Sequence, residues 1–401
     1  MRFRIYFILI FFIATISLSA QTWLQRADVP FNIQNSEGTS FAIGDKIYIV
    51  CGVINNNYSN FCWEFNTTTN IWSQKTSFPG CPRRWPSSFS IGGKGYFLGG
   101  EDTIAGTNND LWEYDPVVDS WTQKTSLPSS IRCGAISWVI NGKGYVVSGA
   151  QSFGIVLNDC WQYDPILDSW IQKSSMPCTG RTFGAGFSIG NKGYAGLGSD
   201  YSQNLKDWWE YNSISDSWTI KDSLPSIAVN IAAFSIDSFG YVGPGDYTYI
   251  LGSSFFQFNH VSGQWLQLAN FTGAQYFSPY SVTCNGKGYV ISGSSFTTCQ
   301  KTTWEFTAPV GIEEYSGNSC SVFPNPSSDK VRIKLDQNII SSGSGYSIEL
   351  TDVTGKVVRL ESGLKMTDSI ELSKENLQSG IYFFAIKNDE KIYGRGKIVF
   401  E

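Results

Sequence analysis

The sequence predicts an all-β protein: a ring of six four-stranded sheets closed by the N-terminal strand, followed by a small C-terminal β-sandwich. Three observations predict it. A tryptophan recurs at Trp63, Trp112, Trp161, Trp209 and Trp304, with Phe256 in the fifth slot, in steps of 49, 49, 48, 47 and 48 residues. A tyrosine keeps the same step at Tyr48, Tyr96, Tyr145, Tyr194, Tyr241 and Tyr289, in contexts such as "IGGKGY", "INGKGY" and "CNGKGY". Aromatics make up 15% of the 401 residues, charged residues only 16%, and there are 40 glycines. That profile suits pleated aromatic strands joined by glycine turns.

Each repeat parses into four strands. In the second they are "SSFSIG", "KGYFLGG", "DLWEYD" and "SWTQKTS". Gly/Asn dipeptides between the first two suit a two-residue hairpin, which needs positive φ. The "DPVVDS" segment suits the hairpin between the third and fourth, where Pro116 fixes φ and Asp115 bonds to nearby backbone. Four antiparallel strands at a period near fifty residues make one blade of a β-propeller. A second tryptophan marks the outer strand at Trp72, Trp121, Trp170, Trp218 and Trp265, one copy fewer than the blades. The sixth repeat stops at "WEFTAPV", and the missing strand is supplied by "TWLQRADVP", where Trp23 and Pro30 are spaced like Trp72 and Pro79. Closure of this kind leaves no sheet edge between first and last blades.

The repeat resembles the kelch family. The tyrosine after the hairpin turn, the diglycine Gly99-Gly100, and Trp-Glu-Tyr-Asp-Pro followed by a second tryptophan carry the resemblance. The diglycine is intact only in that copy and degrades to pairs such as Cys51-Gly52 and Ser148-Gly149. The resemblance implies a six-bladed kelch-type β-propeller over residues 21–306 and says little about activity.

The first twenty residues, "MRFRIYFILIFFIATISLSA", read as a secretory signal peptide: two arginines, an apolar run, then small residues before Gln21. No later segment is long and apolar enough to span a bilayer. Loss of Arg2 and Arg4 takes the formal charge from −5 to −7. Such an acidic chain lacks the basic footprint that nucleic acid requires. Nine cysteines, at 51, 62, 81, 133, 160, 178, 284, 299 and 320, leave one thiol over in the monomer. Cys51 and Cys62, on adjacent strands of one blade, are within disulfide reach in this reading. There is no CxxC pair and the only histidine is His260, in a turn, so no metal site, cofactor or histidine-based nucleophile is expected.

Residues 307–320 read as a linker. From 321 to 401, alternating strands with Pro, Gly and Asp turns read as a β-sandwich. Its motifs are Pro324-Asn325-Pro326, "DVTGKVV", Ser379-Gly380-Ile381-Tyr382 and the terminal "KIVFE". They resemble the type A C-terminal sorting domain of Bacteroidota secreted proteins. The resemblance implies recognition by the type IX secretion machinery and passage through the periplasm and across the outer membrane, to give a released or surface-attached protein.

Candidate ligand-binding residues lie in the loops that enter each blade, at the channel mouth. The position eleven after each outer tryptophan reads Gln34, Arg83, Arg132, Arg181, Val229 and Tyr276. Arg84 and Trp85 adjoin the first arginine, and Phe183 adjoins Arg181. Two readings of this position compete. In one, arginine forks and aromatic faces hold an anionic sugar. In the other, each arginine is a repeat residue that braces neighbouring loops. Other loops of this face carry Tyr58, Glu101, Asp102, Asp200, Tyr201, Asp246, Tyr247 and Tyr249, while Asp110, Asp159 and Asp207 repeat as loop hydrogen-bonders. Three functions follow as expectations: a binding module for a glycan or a surface or matrix protein; a carbohydrate-active enzyme similar to kelch-type sialic-acid mutarotases; or a structural adhesin.

Overall fold

The computed structural model describes residues 22–31, 37–54, 56–152, 154–245, 252–273, 278–294, 299–308, 321–334, 344–352, 356–365, 369–387 and 392–401. The predicted signal peptide and most of the predicted linker lie outside them. The chain divides into two compact units, Met1–Val310 and Gly311–Glu401.

Among the described residues of the first unit, six antiparallel blades follow the sequence period; five are sheets of four strands, and the sheet of the first blade has six, its own four plus the short strands Arg83–Arg84 and Glu101–Asp102. The second blade, for example, orders Ser87–Ile91, Lys94–Leu98, Leu111–Asp115 and Ser120–Lys124 from inner to outer edge. The sixth blade takes Tyr280–Cys284, Lys287–Ser294 and Cys299–Thr307 from one end of the repeat region and Thr22–Arg26 from the other. Trp23 pairs with Phe306 across that seam and packs against Phe255, Phe271 and Phe306 with ring centroids 4.7–5.1 Å apart.

Three repeated devices join the blades. First, the outer-strand indoles of Trp72, Trp121, Trp170, Trp218 and Trp265 donate to the carbonyls of Ala27, Thr76, Thr125, Ser174 and Asp222 on the preceding blade. Second, the innermost strands are stitched by hydroxyls. Ser88 donates to the Ser40 carbonyl, Ser137 to Ser88, Ser188 to Val139, Ser235 to Ser188 and Thr283 to Ser235. Ser40 closes the circle on the Ser281 carbonyl at 3.1 Å. Third, the glycine before the repeated tyrosine receives an aromatic ring from the preceding blade. A Cβ on Gly95, Gly144, Gly193, Gly240 or Gly288 would lie 1.8–2.4 Å from Phe41, Phe89, Trp138, Phe187 or Phe234. These glycines are spaces rather than turns, and they let the inner strands of adjacent blades close on one another.

The repeated tyrosines are buried. Tyr48, Tyr96, Tyr194 and Tyr289 donate to Glu64, Glu113, Glu210 and Glu305 on the third strand. A buried hydroxyl without such a partner costs free energy, so the tyrosine and the acid repeat together.

Cys51, Cys62, Cys81, Cys133, Cys160, Cys178 and Cys284 are free thiols. This corrects the expected approach of Cys51 to Cys62. The ladder sets Cys62 opposite Val50, and Cys51 sits at the following irregularity with φ 59°. Burial pushes the Cys51 thiol up to about 12, so it remains protonated.

The second unit is a sandwich of a three-stranded and a four-stranded antiparallel sheet, ordered Ser321–Phe323, Lys330–Lys334, Ser369–Ser373 and Val357–Lys365, Ser344–Thr351, Gly380–Lys387, Ile392–Phe400. Alternate residues such as Val331, Ile333, Ile348, Leu350, Phe384 and Ile398 form its core. Asn325, in the Pro-Asn-Pro motif, clamps the last strand: its amide donates to the Lys397 carbonyl and its oxygen accepts the Val399 N–H, both at 2.8 Å.

Candidate site at the channel mouth

The entry loops of the six blades converge on the ring axis through one residue each: Glu37, Trp85, Gly134, Phe183, Asn230 and Ser278. All six have left-handed backbone, with φ between 31° and 61°. From Trp85 on, the amide of each hydrogen-bonds the carbonyl of its predecessor. Trp85 donates to Glu37, Gly134 to Trp85, Phe183 to Gly134, Asn230 to Phe183 and Ser278 to Asn230, at 2.5–3.1 Å. A non-glycine residue at positive φ is strained and persists where surrounding structure over-determines it. Here the run of five backbone bonds from Glu37 to Ser278 holds it, and these residues line a cavity of about 120 Å³.

Trp85 and Phe183 meet edge to face across this cavity, centroids 4.9 Å apart. The Arg84 guanidinium stacks 3.7 Å from the Trp85 ring centroid and 5.1 Å from that of Tyr58. It bonds Glu101 at 2.8 Å and stands 3.7 Å from Glu37. Burial raises the Glu37 carboxyl above its ordinary value; Arg84 opposes the shift and Glu101 adds to it. Two buried polar atoms here lack a hydrogen bond, the Trp85 indole Nε1 and Glu37 Oε2.

The arginines of the repeat do something else. Arg83, Arg132 and Arg181 are at most 4% exposed. Arg132 holds Asp159 with both arms of its fork, at 2.9 and 2.8 Å, and Arg181 holds Asp207 at 2.9 and 2.7 Å. Arg83 does the same to Asp110. Each also donates to a carbonyl of its own blade, at Gly99, Ser148 and Leu197. The same aspartates accept the indole N–H of Trp112, Trp161 and Trp209. The charge and both terminal nitrogens of each fork are met within the blade, leaving only Nε of Arg83 and of Arg181 without a hydrogen bond, and this geometry corrects the expectation that the forks face a ligand. Counting eleven residues also slips by one in blade five. There Ala228, whose carbonyl accepts the Gly198 amide, stands where Arg132 and Arg181 stand in their blades, and not Val229.

Of the remaining sequence candidates, Arg84, Trp85 and Phe183 come together at the mouth. Gln34, Tyr276, Asp246, Tyr247 and Tyr249 lie outside the described residues. Asp102 and Asp200 cap their own loops. His260 Nδ1 is 2.7 Å from the Ser238 carbonyl, consistent with a turn residue. Among the described residues no cluster of His, Cys, Asp and Glu is placed to hold a metal. Glu37, Asn230 and Ser278 escaped sequence reasoning, because the ring positions share a backbone conformation and no residue type.

Residues 9–181 match the KLHDC2/KLHL20/DRC7 Kelch-repeats domain, and residues 321–401 match the Secretion system C-terminal sorting domain. This is a kelch-repeat propeller that ends in a secretion sorting domain. Among solved structures, 486 chains match. One is the structure of YjhT, a kelch-type propeller, at 17% identity and a TM-score of 0.60, covering 69% of this chain and 95% of that one. No curated protein matches the chain. The kelch propeller's sorting domain marks it for the Bacteroidota type IX secretion system, which delivers its cargo to the cell surface or the medium. No helix among the described residues is long and apolar enough to cross a membrane.

Proposed function

We propose that this exported propeller is a glycan-binding module that reads a sugar substituent at its channel mouth, after passage through the periplasm. The observation that supports it is the ring of positive-φ residues, which sets Trp85 and Phe183 beside a Glu37 oxygen and a Trp85 indole that make no hydrogen bond, over a small cavity. Aromatic faces and edges suit the C–H surface of a sugar, and carboxyl and indole groups suit hydroxyls and acetamides. The cavity of about 120 Å³ is smaller than the usual small-molecule pocket, roughly 300 Å³ or more. It takes a substituent, with the sugar ring lying across the mouth.

That shape favours binding over turnover. A mutarotase acting on sialic acid needs an anchor for the carboxylate. Arg83, Arg132 and Arg181 are each occupied by an aspartate, and Arg84 already lies between Glu37 and Glu101. A screen of the mature chain on a glycan array, with bound sugars competed by the free monosaccharide, tests the proposal. Retention of no glycan would remove it. Acceleration of anomer exchange of a sialic acid, followed by NMR, would replace it with the enzymatic reading.

A further inference from the structure

Four junctions between blades share a device beyond the tryptophan bond. The turn residue two before the outer tryptophan, Asn70, Asp119, Asp168 or Asp216, has left-handed backbone at φ 45–60°. Its side-chain oxygen accepts the amide N–H of Ala27, Thr76, Thr125 or Ser174 on the preceding blade, at 2.9–3.0 Å. At the junction of blades four and five the indole bond persists, from Trp265 to the Asp222 carbonyl at 2.9 Å. Gly263, at φ 74°, stands in the turn position there, so no side chain reaches the Asp222 amide. A Cβ on Gly263 would meet nothing closer than Lys221 Cδ at 3.8 Å. What remains is an open notch of about 290 Å³ lined by Ile220, Lys221, Asp222, Val261, Ser262 and Gly263.

The other junctions show what this notch is shaped to receive. Lys124 and Lys173 stand 3.9 and 3.6 Å from Asp168 and Asp216. Lys75 serves two carboxylates, standing 3.6 Å from Glu64 and helping to draw down Asp119. Lys221 is the matching lysine of blade four. It stands 3.2 Å from the buried Glu210, with no turn carboxylate beside it.

We propose that this notch docks an aspartate carried on an exposed turn of a protein partner. Its carboxylate takes the place of the missing turn residue, accepting the Asp222 N–H and facing Lys221. The intact turns place exposed aliphatic residues just before their aspartates, Val117 and Val118 before Asp119, and Ile166 and Leu167 before Asp168. Ile220 and Val261, 58% and 66% exposed, flank the notch and supply apolar contact for such neighbours. The exposed carboxylate of Asp222 works against the docking, since the matching residues Ala27, Thr76, Thr125 and Ser174 are neutral.

The test titrates the isotope-labelled mature chain with a disulfide-closed cyclic peptide that presents Val-Val-Asp-Ser in its turn. The amides of Asp222 and Gly263 should shift saturably, and the peptide with alanine for aspartate should shift neither. Gly263→Asp fills the notch from within and should abolish the response while matching or exceeding the parent in thermal midpoint; Gly263→Asn, which copies the Asn70 turn, is the second filling variant. Asp222→Thr should tighten binding several-fold. Absence of a saturable shift, or unchanged binding in the filled variants, overturns the proposal. An equal response to free glucuronate at the same concentration overturns the assignment to a protein turn.

Discussion

The indole N–H of Trp121 in the second blade donates to the carbonyl of Thr76 in the first, at 2.9 Å. In the same place Asp119 accepts the Thr76 amide at 3.0 Å and the Tyr114 hydroxyl at 2.6 Å. The repeated phrase "LWEYDPVVDSW" is therefore a fastener between blades. Trp121→Phe should keep the ring packing and lose one hydrogen bond, about 1 kcal/mol. Trp121→Ala should cost about 3 kcal/mol through lost packing against Phe78 and Tyr114. Trp265→Phe should cost more than Trp121→Phe, because Gly263 leaves its junction without the second bond. Urea midpoints of the three variants check this order, and equal losses for the two phenylalanine variants would contradict it.

Arg132 is 1% exposed and bidentate to Asp159. Burial alone would raise the Asp159 carboxyl, but the Arg132 fork, the Trp161 indole and the Ser129 hydroxyl outweigh it and hold it below its ordinary 3.8. A depressed folded-state pKa contributes stability that is complete above the unfolded value. That stability is lost as pH falls through the folded one. Stability should therefore decline below about pH 4, and Asp159→Asn should flatten that decline while lowering stability at pH 7. Arg132→Ala, which strands Asp159, should cost about 3–5 kcal/mol. Thermal midpoints from pH 2.5 to 7 report both effects. A loss of glycan binding by Arg132→Ala at full stability would instead restore the arginine to the ligand site.

The period, the four-strand parse and the closure by Trp23 were legible because repeats fix register: a strand that slips by one residue exposes its core face. The arginine–aspartate pairs were legible too, through a signal that counting along one position misses. Arg83, Arg132 and Arg181 occur in the three blades that carry Asp110, Asp159 and Asp207, and the matching slots elsewhere hold Phe61, Ser254 and Thr302. Side-chain direction was not legible. An entry-loop arginine points to solvent or to its blade according to a partner 26 or 27 residues away. Nor was the mouth, since Glu37, Trp85, Gly134, Phe183, Asn230 and Ser278 share only a backbone conformation.

Gly144 shows how one blade constrains the next. A Cβ there would lie 2.4 Å from the Phe89 ring of the preceding blade. Gly144→Ala should cost about 1–3 kcal/mol by overpacking. Phe89→Leu in the same chain should recover part of that loss, because the seam between blades six and one packs Ile47 in the cluster of Val282 with no ring in the slot. A double-mutant cycle measures the coupling, and additive losses would show that the two sites do not share the space.

Trp85 separates the scaffold of the mouth from its chemistry. Its backbone lies at φ 56°, and blade three places Gly134 at φ 61° in the equivalent position with the same backbone hydrogen bonds to its neighbours in the ring. Trp85→Gly therefore copies a residue the ring already tolerates and relieves the strain of a side chain at positive φ. What it removes is the aromatic face, the unpaired indole and the surface on which Arg84 stacks. Stability should change by about 1 kcal/mol or less, since the relief of strain offsets lost packing. Retention on the glycan array should fall at least ten-fold. Phe183→Gly is the parallel case from the opposite side of the cavity and should fall less, because it carries no hydrogen-bond donor. If both variants kept full retention at full stability, the glycan contacts would lie elsewhere on the propeller and the channel mouth would be only the place where six loops close.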